Sequence, residues 1–96
     1  MQIKMSEQVF QWYKEELSLT KGDHIRFYIR YGGLNSFVKG FSLGMEKDTP
    51  EETQTRIEKD GITFFIEDCD TWYFDNKDLV IEYNEQLNEP EFKQAV

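Results

Sequence analysis

Read from the amino terminus, the apolar residues first recur at helical spacing. Met5, Val9, Phe10, Trp12, Tyr13 and Leu17 fall on one broad arc, with Glu7, Gln11, Lys14 and Glu15 opposite. Ser6 is placed to start this helix: its hydroxyl accepts a bond from an orphan N–H, and Glu7 suits the positive end of the helix dipole. The capping box is incomplete, because Val9 stands where Glu or Gln would reach back. Glu16 interrupts the apolar arc, which an exposed last turn tolerates, and Gly22 in "LTKGD" ends the helical stretch.

From His24 the period becomes two. Ile25, Phe27, Ile29 and Tyr31 point one way and His24, Arg26, Tyr28 and Arg30 the other, which predicts a half-buried strand. After a Gly32–Gly33 turn, Phe37, Lys39, Phe41 and Leu43 alternate with Val38, Gly40 and Ser42 in a second strand. Gly40 and Gly44 predict bulges or close contacts there. Met45 to Thr53 reads as an acidic loop, and "TQTRIEKDGITFFIED" as a hairpin turning at Asp60-Gly61. "DCDTWYFDNKD" predicts one short helical turn capped by Asp68, with Trp72, Tyr73 and Phe74 packing. "LVIEY" is a further strand and "EFKQAV" a last, frayed one. One helix and five or six strands, with no repeat or low-complexity tract, predict an α+β, mainly β, single domain over residues 1–96. The amphipathic helix packs on a sandwich or partly open barrel of short strands.

Composition narrows the function classes. The chain of 96 residues carries 19 Asp and Glu against 11 Lys and Arg, for a net charge of −8. That sign repels phosphate backbones and anionic lipid, so neither nucleic acid nor membrane is an expected partner. A single cysteine rules out an intrachain disulfide and a multi-cysteine zinc site within one chain. No apolar run approaches the roughly 20 residues that span a bilayer, and "MQIKMSEQVF" lacks a signal-peptide core. The expected location is cytoplasmic.

Candidate chemistry is sparse. His24, the lone histidine, shares a strand face with Arg26 and Arg30, an arrangement that suits an anion site with His24 as acid or base. A solvated strand face shows the same pattern. Cys69 in "EDCD" stands among Glu67, Asp68 and Asp70. Those carboxylates attract hard divalent cations, but they raise the thiol pKa and blunt its nucleophilicity. The reading is a buried structural cysteine, and a ligand or reactive thiol is the alternative. No phosphate-cradling loop with a lysine, no nucleophile elbow and no HExxH helix occurs.

The stretch "RYGGLNSFVKGFSLG" resembles the central motif of the HesB/IscA family, the A-type carriers of iron–sulfur assembly. In that motif a glycine-rich turn presents a cysteine, followed by Ser-Gly, an aromatic and a strand containing Gly-Phe. Gly32, Gly33, Ser36, Phe37, Gly40 and Phe41 fit parts of the frame, with Ser36 where the family has its second glycine. The resemblance extends to the Ser6 helix, the paired strands and "IEKDGITFFIEDCD", and it is greatest to the shorter HesB-like, YneR-like branch. It implies a HesB-like fold. It also exposes a departure: family carriers place a cysteine at the glycine turn and two more in a Cys-Gly-Cys near the carboxyl end. Here the turn carries Leu34, or Asn35 if the alignment slips by one, and no Cys-Gly-Cys occurs. Cluster irons are held by thiolates, commonly four, so the resemblance implies the fold without the usual iron–sulfur cofactor.

The function expected from these residues is that of a non-enzymatic accessory or binding protein linked to iron–sulfur assembly, working on protein partners. Its functional loop is Gly32, Gly33, Leu34, Asn35 and Ser36, with Leu34 an apolar contact; a loop kept only for chain reversal would look the same. The first alternative is an iron or other divalent-metal protein using Cys69, Asp68 and Asp70, with His24 as a further donor. The second is a small enzyme with an anion site around His24. Family members often associate, so a homodimer is also expected.

Overall fold

The computed structural model describes residues 1–32 and 40–94. The chain opens with a short strand, β1 (Ile3–Met5), before helix α1 (Glu7–Glu16). Sequence periodicity missed β1, because three residues, "IKM", carry no period and Met5 joins the helical arc by coincidence. The strand exists through a partner 76 positions away: β1 pairs in parallel with β6 (Leu79–Asn84), Ile3 opposite Leu79. The start of α1 is as expected, with Ser6 Oγ accepting the Val9 N–H at 3.2 Å. Val9, Phe10 and Tyr13 are buried. Leu17, read as part of the apolar arc, instead caps the carboxyl end and is exposed.

The remaining strands are β2 (His24–Tyr31), β3 (Phe41–Lys47), β4 (Thr55–Lys59), β5 (Ile62–Ile66) and β7 (Glu89–Gln94). They form two mixed sheets, one ordered β1-β6-β7 and the other β3-β2-β5-β4. Neither closes on itself, so the protein is α+β and mainly β, as expected. β3 runs three residues into the stretch read as an acidic loop. Its pairing with β2 continues through Met45 opposite Phe27 and Lys47 opposite Ile25, and that ladder overrides local composition. The β4–β5 hairpin turns at Asp60 (φ 51°) and Gly61 (φ 78°), both left-handed as a tight two-residue turn requires. β7 begins earlier than read, at Glu89, and accommodates Pro90 because it is an edge strand.

β5 is buried along its whole length, as befits a central strand covered on both faces. Phe64 on β5 lies 6.0 Å from the Phe10 ring of α1, 6.1 Å from Tyr13 and 6.2 Å from Phe27 of β2. Phe27 in turn meets Phe92 of β7 edge-on at 5.8 Å, which joins the two sheets. One core thus contains Phe10, Phe27, Phe64, Ile66, Leu79 and Ile81. Phe64→Ala would remove the ring that three elements share. It is expected to cost about 3–5 kcal/mol, a large part of a typical stability of about 5–15 kcal/mol. Urea unfolding of the variant would show this as a midpoint shift, whereas a loss under about 1 kcal/mol would mean that the core closes around the gap.

Candidate functional site

β2 and β3 end together at one rim of their sheet. Tyr31 faces Phe41 in the last register pair, and the Gly32 N–H donates to the Gly40 carbonyl at 2.8 Å. Gly32 and Gly40 have φ of 81° and 88°, a region other residues adopt at a cost, so these two glycines form a neck at the end of the β2–β3 ladder. Of the expected functional loop only Gly32 is described; Gly33, Leu34, Asn35 and Ser36 lie outside the described residues, as do Phe37, Val38 and Lys39 of the predicted strand. Gly44 behaves as anticipated for close contact: a Cβ there would stand 2.5 Å from Tyr28 Cζ, so the Tyr28 ring lies against it.

Beside the neck sits a 3-10 helix, Asp68–Phe74. The sequence "TWYF" offers three successive aromatics, and a helical turn cannot direct all three inward. Tyr73 and Phe74 are buried, while Trp72 is 54% exposed. Trp72 packs edge-on against Phe41 at 5.5 Å, and Phe41 lies 5.1 Å from Tyr31, which is 87% exposed. Tyr73 anchors the group from below, its hydroxyl donating to the Phe41 carbonyl at 3.3 Å. Tyr31, Phe41 and Trp72 therefore form an outward-facing aromatic patch next to the glycine neck. Sequence reading placed Tyr31 on a core-facing strand side and Trp72 among packed residues; the consecutive aromatics were the signal that one must face outward.

The 3-10 helix is held in place by charge. Arg26 reaches from β2 to Asp70 at 2.8 Å and to Asp48 at 3.5 Å. The bond to Asp70 raises the guanidinium pKa further. Glu67 is buried, and its carboxylate accepts the Glu51 and Glu52 N–H groups, each at 3.0 Å. The Asp68 N–H donates to the Glu52 carbonyl at 2.8 Å, and Asp68 Oδ1 accepts the Gln54 N–H at 3.0 Å. Asp68 therefore does not cap the helix as expected; Glu67 occupies the cap position without a side-chain bond. The cause is that the neighbouring loop competes for both carboxylates.

Cys69 is exposed, which corrects the buried structural cysteine expected from sequence. It occupies the first turn of a surface helix, and its Sγ lies 3.7 Å from Asp70 Oδ1. With Glu51, Glu52, Glu67 and Asp68 it lines a depression of about 450 Å³. The metal reading required Cys69, Asp68 and Asp70 to converge, yet Asp68 binds backbone and Asp70 binds Arg26. Among the described residues, no group of three or more His, Cys, Asp and Glu side chains is placed to hold a metal ion. The anion reading set His24 on one strand face with Arg26 and Arg30, and Arg30 is exposed toward the other end of β2. His24 is exposed at the start of β2, but Arg26 is already engaged by two carboxylates.

A family model described as iron–sulphur cluster biosynthesis matches residues 1–95. A Bacillus subtilis (strain 168) protein named pyruvate dehydrogenase inhibitor is 53% identical over 93 residues, 97% of this chain and 98% of its own length. An uncharacterised protein of Staphylococcus saprophyticus is 36% identical over 92 residues, covering 93% of this chain and 94% of that protein. Another, from Staphylococcus haemolyticus, is 29% identical over 85 residues, 85% of this chain and 86% of that one. No helix among the described residues is long and apolar enough to cross a membrane.

The Asp70 carboxylate, with burial a smaller cause, pushes the Cys69 thiol above its ordinary pKa, and Arg26 opposes this in part. Because Cys69 is the single cysteine of the chain, alkylation by iodoacetamide reads this thiol alone. The pH midpoint of the alkylation rate is expected above that of a free cysteine. Asp70→Asn removes a neighbouring negative charge, favours the thiolate and lowers the midpoint. A midpoint unmoved by Asp70→Asn would remove Asp70 as the cause.

Proposed function

The chain belongs to the iron–sulphur cluster biosynthesis family, HesB/IscA, and from that premise we propose that it is a non-enzymatic protein that acts by binding a protein partner, with pyruvate dehydrogenase as its target. The observation that carries the reading is the outward aromatic patch of Tyr31, Phe41 and Trp72 beside the Gly32–Gly40 neck. Exposed, anchored aromatics are what protein interfaces use as their energetic centres. To the same partner contact we assign the sequence segment Gly32, Gly33, Leu34, Asn35 and Ser36, with Leu34 as an apolar contact. The target is taken from the relative named pyruvate dehydrogenase inhibitor, which is similar over nearly the whole chain. The protein works in the cytoplasm on this reading, and light scattering decides whether it does so as a dimer.

The test is direct. Pyruvate dehydrogenase complex purified from Bacillus subtilis is assayed with rising amounts of the protein. Activity should fall several-fold to a plateau, and unchanged activity at saturating protein would end the inhibitor reading.

A second reading, an accessory role in iron–sulphur assembly, rests on the family relationship. There the cluster is cargo, and its irons take thiolates, commonly four. This chain offers Cys69 alone, with Leu34 or, if the alignment slips by one, Asn35 where carriers have a ligand. Anaerobic incubation with ferrous iron and sulfide should therefore leave the protein colourless. Brown protein that loses its colour in Cys69→Ser would restore a carrier role through that thiol.

A further inference from the structure

We propose that β3 is the contact strand of a homodimer: two copies of the chain pair along their β3 edges, antiparallel about a two-fold axis at Gly44. This goes beyond the partner reading above and does not depend on it. β3 is an outer strand of its sheet, bonded on one side to β2. At one end of that ladder the Gly32 N–H donates to the Gly40 carbonyl at 2.8 Å, and at the other the Asp48 N–H donates to the His24 carbonyl at 3.1 Å. The register is continuous between them, so the even-numbered residues of β3 bond to β2 and the odd-numbered ones turn their N–H and C=O groups outward. The Phe41 carbonyl on this outer side accepts the Tyr73 hydroxyl. Among the described residues, the backbone groups of Leu43 and Met45 meet no partner.

The other outer strands are guarded against such pairing. β1 has three residues, β4 carries Arg56, Glu58 and Lys59, and β7 carries Pro90 between Glu89 and Glu91. Short length, charge and proline are the usual protection of a sheet edge. β3 has seven residues and no charge from Phe41 to Met45.

The strand is also complementary to itself. Two-fold pairing about Gly44 sets Leu43 opposite the partner's Met45 and Ser42 opposite the partner's Glu46. Ser42 already stands opposite Arg30 in the β2–β3 ladder. One row across the joined sheets therefore runs from Arg30 over Ser42 to the partner's Glu46, and the symmetry repeats it on the other side of the axis. Arg30 and Glu46 are exposed, and among the described residues neither is in an ion pair. Ser42 between them is small enough for the two long side chains to meet above it. Its buried hydroxyl has no hydrogen-bond partner in the single chain, a want that an arriving carboxylate would meet. At the axis, Gly44 offers no side chain to hold the two strands apart, and the Tyr28 ring lies against it. Opposite charges placed across a sheet stabilise it, and here they also fix the register.

Sedimentation equilibrium of the full chain tests this, in about 0.15 M salt, which screens the repulsion between two acidic chains beyond roughly 8 Å. The wild type should form a dimer. Met45→Pro removes an N–H that β2 does not use, so the strand should remain while dimerisation weakens at least tenfold. Glu46→Arg and Arg30→Glu each set like charges face to face in their own dimer. Mixed in equal amounts, these two variants pair opposite charges at both contacts, so the mixture should associate several-fold more tightly than either variant alone. Circular dichroism checks that each variant is folded. A wild type that stays monomeric at its highest soluble concentration overturns the proposal. A dimer that Met45→Pro leaves within twofold of the wild type, or charge variants that associate no better mixed than apart, would place the contact elsewhere and overturn it too. None of these failures touches the inhibition assay, which tests the partner reading by itself.

Discussion

The ring of Phe64 is where the separate layers of this protein become one core. It lies within 6.0–6.2 Å of Phe10, Tyr13 and Phe27, and Phe27 carries the packing on to Phe92 of the other sheet. Helix α1 and strand β2 are amphipathic and gain stability by burying their apolar sides against β5, which is buried on both faces. In a chain of 96 residues few side chains are large enough to meet several elements at once, so the aromatics carry much of that burial. β5 is enclosed on both faces in consequence, and it ties the edge strand β4 to β2 within the sheet.

The surface is organised by a different interaction. Glu67 and Arg26 spend their charges inside the molecule, Glu67 on two backbone N–H groups and Arg26 on Asp70 and Asp48. Charge-assisted bonds of this kind are the stronger ones, and here they fix a short 3-10 helix that has little stability of its own. Once that helix is fixed, Tyr73 and Phe74 point inward and Trp72 outward. The orientation of the aromatic patch thus depends on carboxylates that do not belong to it.

The family frame and the family chemistry have separated in this chain. The family model covers residues 1–95, while the chain's one cysteine, the exposed Cys69, stands outside the positions where carriers hold a cluster. A fold sets where side chains stand, and the side chains set what it does. With the aromatic patch of Tyr31, Phe41 and Trp72 beside the Gly32–Gly40 neck, the rim is suited to contact, and that is the basis of the binding function proposed.

The sequence by itself determined the elements whose signals are local. Helix α1 follows from the Ser6 cap and its apolar arc, β2 from eight alternating residues, and the β4–β5 turn from Asp60-Gly61, because capping, periodicity and left-handed turns act within a few residues. It also determined that the ligand thiols of the family are missing, which is a matter of composition. Only the tertiary structure decided the rest. β1 exists because Leu79–Ile81 lie beside it, β3 continues through acidic residues because β2 pairs with it, and Asp68 abandons a helix cap for the Gln54 N–H. Cys69 and Trp72 face outward for the same reason: a turn of 3-10 helix has one buried side, and which residues occupy it is set by the distant Arg26 and Phe41 that they meet.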